Sequence, residues 1–136
     1  LFALKAAAAA GVDVRIMNPE KSDSRMVHWG TMSYLQELME AGIKIYMYQK
    51  GFLHSKLFVC DDYLSSVGST NMDFRSFEHN FEVNAFMYDK TSALMLKDIF
   101  LSDQKDAKLL HLKEWRMRPW TQKVKESVIR LFAPLL

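Results

Sequence analysis

A histidine two residues before a lysine, followed by a short Gly-Ser-x-Asn segment, assembles the groups needed to handle a phosphate ester. The chain reads His54-Ser55-Lys56, then Asp61, then Gly68-Ser69-Thr70-Asn71, then Asn80 and Glu82. Residues two apart on a strand share a face, so the spacing predicts that His54 and Lys56 point the same way. A fixed ammonium neutralises an anion, and an imidazole beside it can attack that anion or move a proton to or from it. Gly68 lets the backbone approach a ligand closely. The Ser69 hydroxyl and the Asn71 amide add donors for anionic oxygens. Together these groups describe a phosphoryl site that needs no metal and no cofactor. Asn80, Glu82 and Asn84 alternate with Phe81, Val83 and Ala85, which predicts a polar face on a strand. Glu82 is then a candidate to accept a hydrogen bond from His54 and fix its tautomer. Asp61 lies seven residues past His54, up to ~23 Å away in an extended strand and on the opposite face. It reads as a structural residue at a strand end or turn.

The elements that must position these groups follow from periodicity. Residues 1–10 carry the helix-forming run Ala6 to Ala10, closed by Gly11. Val12 to Met17 alternates as a strand does. Trp29, Met32, Leu35, Leu38 and Met39 recur at helical spacing within 26–41, and Gly42 closes that helix. Ile43 to Tyr48 alternates again. Leu53 to Val59 and Leu64 to Val67 read as two strands around Asp61-Asp62, and Phe81 to Met87 as a third. They lie too close together for helical crossovers, which predicts antiparallel neighbours. Thr91 to about Phe100 and Trp120 to Phe132 read as helices, with Ser102 to Lys108 as a polar connection. The expectation is an α/β (α+β) fold, a mixed β-sheet flanked by helices, in a single domain over 1–136.

Composition narrows the classes. The 136 residues are 49% hydrophobic and 25% charged, which excludes a disordered chain. No apolar run approaches the roughly 20 residues of a membrane span, and the chain reads as soluble. A net charge of +2 is too small to point by itself to nucleic acid or to an anionic membrane. Cys60 is the one cysteine, which rules out an internal disulfide or a cysteine-cluster metal site.

The composite spacing resembles a known pattern. His54-Ser55-Lys56-Leu57-Phe58-Val59-Cys60-Asp61 fits HxKxxxxD, and Gly68-Ser69-Thr70-Asn71 fits GSxN, the HKD motif of the phospholipase D superfamily. The wording around it, Gly51-Phe52-Leu53-His54 and Asn71-Met72-Asp73-Phe74-Arg75-Ser76-Phe77 with Asn80-Phe81-Glu82-Val83-Asn84, is similar to the C-terminal HKD half of bacterial cardiolipin synthase. That resemblance implies a phospholipase D-like half-domain and phosphodiester exchange through a phosphohistidine. One HKD histidine attacks phosphorus and the other protonates the leaving alcohol. Two phosphatidylglycerol molecules then give cardiolipin and glycerol. By motif position His54 is catalytic, in the acid-base role. Lys56, Ser69 and Asn71 hold the phosphate, Glu82 positions the histidine, and Asp61 and Gly68 complete the motif.

The resemblance also implies what lies outside the sequence. Only one HKD copy is present, so the chain is expected to be an N-terminally truncated fragment of a longer two-motif enzyme, inactive alone. Its expected partners are anionic phospholipid (phosphatidylglycerol), the N-terminal HKD half, and the cytoplasmic membrane through the parent protein. Two alternatives stand beside this: a single-HKD phosphodiesterase or endonuclease built from two identical chains, and an inactive phosphate- or lipid-binding fragment. Trp115, Arg116, Arg118, Pro119 and Trp120 form an aromatic-basic cluster that reads either as helix packing or as a contact with anionic lipid.

Overall fold

A computed structural model describes residues 1–22 and 24–132. The order of elements is α1 (Phe2–Ala9), β1 (Arg15–Pro19), α2 (Arg25–Glu40), β2 (Lys44–Tyr48), β3 (Lys56–Cys60), β4 (Leu64–Gly68), α3 (Phe74–Glu78), β5 (Asn84–Tyr88), α4 (Lys90–Gln104), β6 (Ala107–Leu109), α5 (Leu112–Arg116) and α6 (Trp120–Arg130). The mixed β-structure is flanked by helices, as expected, but it is divided into two sheets of three strands each, β1-β2-β6 and β3-β4-β5.

The first half repeats one unit, a helix closed by glycine and followed by a strand. Gly11 and Gly42 have φ of 91° and 90°, the left-handed region that glycine enters without a Cβ penalty. At each end the glycine N–H bonds the carbonyl three residues back, and the next N–H bonds the one five back. These pairs are Gly11 to Ala8 with Val12 to Ala7, and Gly42 to Met39 with Ile43 to Leu38. This is the Schellman arrangement. It turns each chain reversal directly into a strand, and β1 and β2 then pair in parallel with Arg15 opposite Lys44.

The core lies on this first sheet. Met32, Leu35, Leu38 and Met39 of α2 pack with Ile43, Ile45, Met47 and Trp115. The helical period places those α2 side chains on one face; Met26, at the start of the same helix, is exposed. β6, antiparallel to β2 with Tyr46 opposite Leu109, begins at the end of the stretch that reads as a polar connection.

The second sheet carries the motif. β3, β4 and β5 are antiparallel, with Lys56 opposite Gly68 and Gly68 opposite Asn84. The β3–β4 reversal has positive φ at Asp61 (50°) and Asp62 (55°), which matches a type I′ turn. Helix α4 packs against all three strands and is tied to that turn by Lys97 on Asp62 at 2.6 Å.

Candidate active site

Lys56 opens β3, and the chain before it is not strand. His54 therefore sits in the loop leading into β3, and the shared strand face expected for His54 and Lys56 does not apply. A local tie does the same work: Lys56 Nζ donates to the His54 carbonyl at 2.8 Å, which holds the ammonium close to the histidine backbone. The His54 ring is exposed and stacks on Phe52, centroids 5.5 Å apart and planes at 21°.

The Gly68-Ser69-Thr70-Asn71 segment leaves the end of β4 and is clamped to the chain entering β5. Ser69 N–H donates to the Val83 carbonyl at 2.9 Å. Val83 N–H donates to Ser69 Oγ at 3.0 Å. Ser69 Oγ in turn donates to the Glu82 carboxylate, and the Asn84 side-chain amide donates to Thr70 Oγ1. Gly68 is required here because a Cβ would fall 2.3 Å from the Val83 carbonyl oxygen. The close approach this glycine permits is to the neighbouring strand, where the sequence pointed to a ligand.

Glu82 lies before β5, which begins at Asn84. The polar strand face expected for Asn80, Glu82 and Asn84 is thus mostly loop. The carboxylate is nonetheless well defined. Ser69 donates to it, and Asn80 Nδ2 does so at 3.4 Å. The Ser69 hydrogen bond, then those of Ser76 and Asn80 and the charge of Lys56, hold its pKa below the usual carboxylate value. It is an anion at neutral pH. The structure brings together Lys56, Ser69 and Glu82; the hydrogen bonds described at Glu82 run to Ser69, Ser76 and Asn80 rather than to His54.

Two residues that sequence reading passed over support this cluster. Asp73 caps α3 by accepting from Ser76 N–H at 2.8 Å. Ser76, the buried residue of that helix, accepts from Asn71 N–H at 3.2 Å and also bonds Glu82. One buried hydroxyl therefore links the Asn71 backbone to the carboxylate. The Asp73-x-x-Ser76 spacing is a helix-capping signal that could have flagged it. Asn71 itself is exposed.

Asp61 sits past the far end of β3 from His54, in the turn, as its position in the sequence suggested. Cys60 beside it is half-buried, and burial first, then Asp61, pushes its pKa up, so it stays a thiol. Among the described residues no group of three His, Cys, Asp or Glu could hold a metal ion. A cavity of ≈ 470 Å³ lies elsewhere, against Trp29, Met47, Trp115 and Glu126. The motif residues stand on open surface, with His54, Ser69 and Asn71 exposed.

The family described as cardiolipin synthase, PLD-like domain, matches residues 1–104. A cardiolipin synthase of Geobacillus kaustophilus (strain HTA426) is 48% identical over 136 residues, covering 100% of this chain and 27% of its own length. Cardiolipin synthase 1 of Staphylococcus epidermidis is 49% identical over 134 residues, with coverage of 98% and 27%. The chain spans about a quarter of the length of these curated relatives. Among solved structures, the phospholipase D family member Nuc from Salmonella typhimurium superimposes with a TM-score of 0.69 at 22% identity, covering 81% of this chain and 72% of that one. Phosphatidylserine synthase of Haemophilus influenzae Rd KW20 gives 0.69 at 16% identity, covering 96% and 37%. At these identities the likeness concerns the fold.

Proposed function

Because this chain belongs to the family of cardiolipin synthase PLD-like domains, we propose that it is one HKD half of a phosphatidyltransferase, supplying His54 to the transfer of a phosphatidyl group between alcohols. The observation that carries this reading is the cluster of Lys56, Ser69 and Glu82, tied through Lys56 to the backbone of His54, whose side chain is exposed. Lys56 is a cation for the phosphodiester, Asn71 and Ser69 are donors for its oxygens, and Glu82 is a fixed anion able to stabilise an imidazolium. Ser69 spends its hydroxyl proton on Glu82 here, so engaging a phosphate oxygen requires that bond to exchange. In the proposed reaction one histidine attacks phosphorus and expels an alkoxide, and the second histidine gives that alkoxide its proton. The same group then takes the proton of the incoming alcohol as it displaces the phosphohistidine. His54 fills the acid-base position.

Such a step needs a second histidine facing the first. We assign it to a second HKD half in a longer chain, a reading supported by the 27% coverage of the relatives and by the open setting of the motif. Phosphatidylglycerol is the proposed donor and acceptor, and the full-length protein is placed at the cytoplasmic membrane. No helix among the described residues is long and apolar enough to cross one.

In the full-length enzyme, His54→Ala is expected to lower cardiolipin formation from phosphatidylglycerol by ~10²-fold or more; retention of more than about a tenth of the activity removes His54 from catalysis. The 136-residue chain alone is expected to form none. Cardiolipin made by it would show a complete site, and plasmid nicking abolished by His54→Ala would point instead to a phosphodiesterase assembled from two copies.

A further inference from the structure

Helix α6 is attached to the protein by its charged side. Glu126 is buried and receives both guanidinium nitrogens of Arg118, at 2.7 and 3.0 Å. Arg118 in turn lies 3.3 Å over the Trp115 ring. Arg130 donates to Glu37 of α2 at 2.8 Å. The opposite side is apolar and open. Trp120, Val124, Val128 and Leu131 follow one another at helical spacing and are 73%, 48%, 49% and 79% exposed. An ordinary surface helix turns its apolar stripe inward and its charges to water; α6 does the reverse.

The charges around the stripe identify what it faces. At about 100° per residue the four side chains fall within an arc of roughly 80°. Lys123 and Lys125 then stand about 100° to either side of Val124, and Glu126 lies opposite. Residues 112–130 hold six Lys and Arg against two Glu; with Arg116 paired to Glu40 and Arg130 to Glu37 of α2, a surplus of two positive charges remains around the stripe. Two copies packed stripe to stripe would set like charges against each other. A protein groove would need acids on both rims. A sheet of anionic headgroups over an apolar layer satisfies both flanks and the stripe at once.

We propose that α6 lies in the interfacial layer of an anionic phospholipid membrane. Trp120, Val124, Val128 and Leu131 enter the boundary between headgroups and acyl chains, while Lys123, which in the free chain donates to the Arg116 carbonyl at 2.6 Å, and Lys125, which lies 5.9 Å from the Trp29 ring centre, exchange those contacts for headgroups. The aromatic-basic cluster divides accordingly: Trp115 and Arg118 pack the helix on, and Trp120 meets the lipid.

The test is flotation of the 136-residue chain with vesicles of mixed phosphatidylglycerol and phosphatidylcholine, and of phosphatidylcholine alone. The chain is expected to bind the first, to bind the second weakly, and to be released by salt. Trp120→Ala/Val124→Ser/Val128→Ser should lower binding by about tenfold or more with an unchanged thermal melt, since these side chains are exposed. Brominated lipid should quench the fluorescence of the unaltered chain more than that of Trp120→Phe, a change that leaves the stripe apolar. Equal flotation of the triple variant, or equal quenching in Trp120→Phe, overturns the proposal. So does a stripe variant that changes only the mass in light scattering while the parent chain never floats. His54→Ala is expected to float like the parent, so this proposal and the catalytic assignment fail separately.

Discussion

A methyl group at position 68 would meet Asn84 Oδ1 at 2.0 Å, the Val83 carbonyl oxygen at 2.3 Å and Asn84 Cα at 2.7 Å. The amide could swing aside, but only by releasing Thr70; the two backbone atoms could move only if β5 shifted away from β4. Gly68→Ala is therefore expected to destabilise the chain by ~1–3 kcal/mol, the usual cost of overpacking. It should also loosen Ser69 from Glu82, because both clamp bonds to Val83 depend on that spacing. Chemical denaturation measures the first effect, and a change within ~0.5 kcal/mol would mean the strands yield freely. This residue shows how a motif position can stand out in the sequence for a reason other than the one the structure gives it. The motif residues His54, Lys56, Ser69, Asn71 and Glu82 were legible because their types and spacing are distinctive. Which atom each one touches was not, because it depends on where β3 and β5 begin. Alternation in Asn80-Glu82-Asn84 imitates a strand, yet the ladder starts only at Asn84.

Elements with their own local signals were the readable ones. The Ala-rich α1 with Gly11 and the apolar stripe of α2 with Gly42 each end in a hydrogen-bond pattern that glycine makes possible. The short elements were not readable. α3 and α5 have five residues each and β6 has three, too few to display a period, and β6 exists because β2 offers it an edge. The start of β1 was misplaced for a similar reason. Val12 and Asp13 alternate as a strand does, but the ladder with β2 begins at Arg15. There Asp13 acts as a side-chain clamp, accepting from Arg15 at 2.6 Å and Lys44 at 2.8 Å. The Arg15 bond, then the Lys44 bond, lower its pKa from 3.8 to about 2. The folded value lies below the unfolded one, so the clamp is at full strength above the ordinary 3.8 and is lost as pH falls through about 2. Because the group is exposed, solvent screening keeps its share of stability small, and the useful measurement is the titration itself. NMR should place the Asp13 midpoint near 2 and return it toward 3.8 in Arg15→Gln. An unaltered chain titrating near the ordinary value would show that the clamp does not form in solution.

The two sheets differ in how far they are covered, and that asymmetry sets what the whole molecule needs. The first sheet owns the core cluster, built with α2 and α5. The second sheet is packed by α4, and its register puts Lys56, Phe58, Ser66, Phe86, Tyr88 and Asn84 on one face. Phe58, Phe86 and Tyr88 are exposed there, at 45%, 58% and 66%. An apolar face of this kind on the sheet that carries the motif is a candidate interaction surface. It lies on the face of Lys56, and under the proposed function it is the surface that a second HKD half would cover. In the full-length enzyme Phe86→Asp should therefore reduce cardiolipin formation by about tenfold or more, since a buried unpaired charge costs far more than the lost ring contacts. In the 136-residue chain the same change should leave the melt nearly unaltered, because the side chain already faces water. Hydrogen exchange offers a second reading of the same asymmetry. Amides of β5 should exchange faster than those of β2 in the isolated chain, and should slow in the full-length protein when the face is covered. Full activity in Phe86→Asp, with β5 exchange equal in the two proteins, would leave this face to solvent and require the second histidine to approach from the loop side of His54.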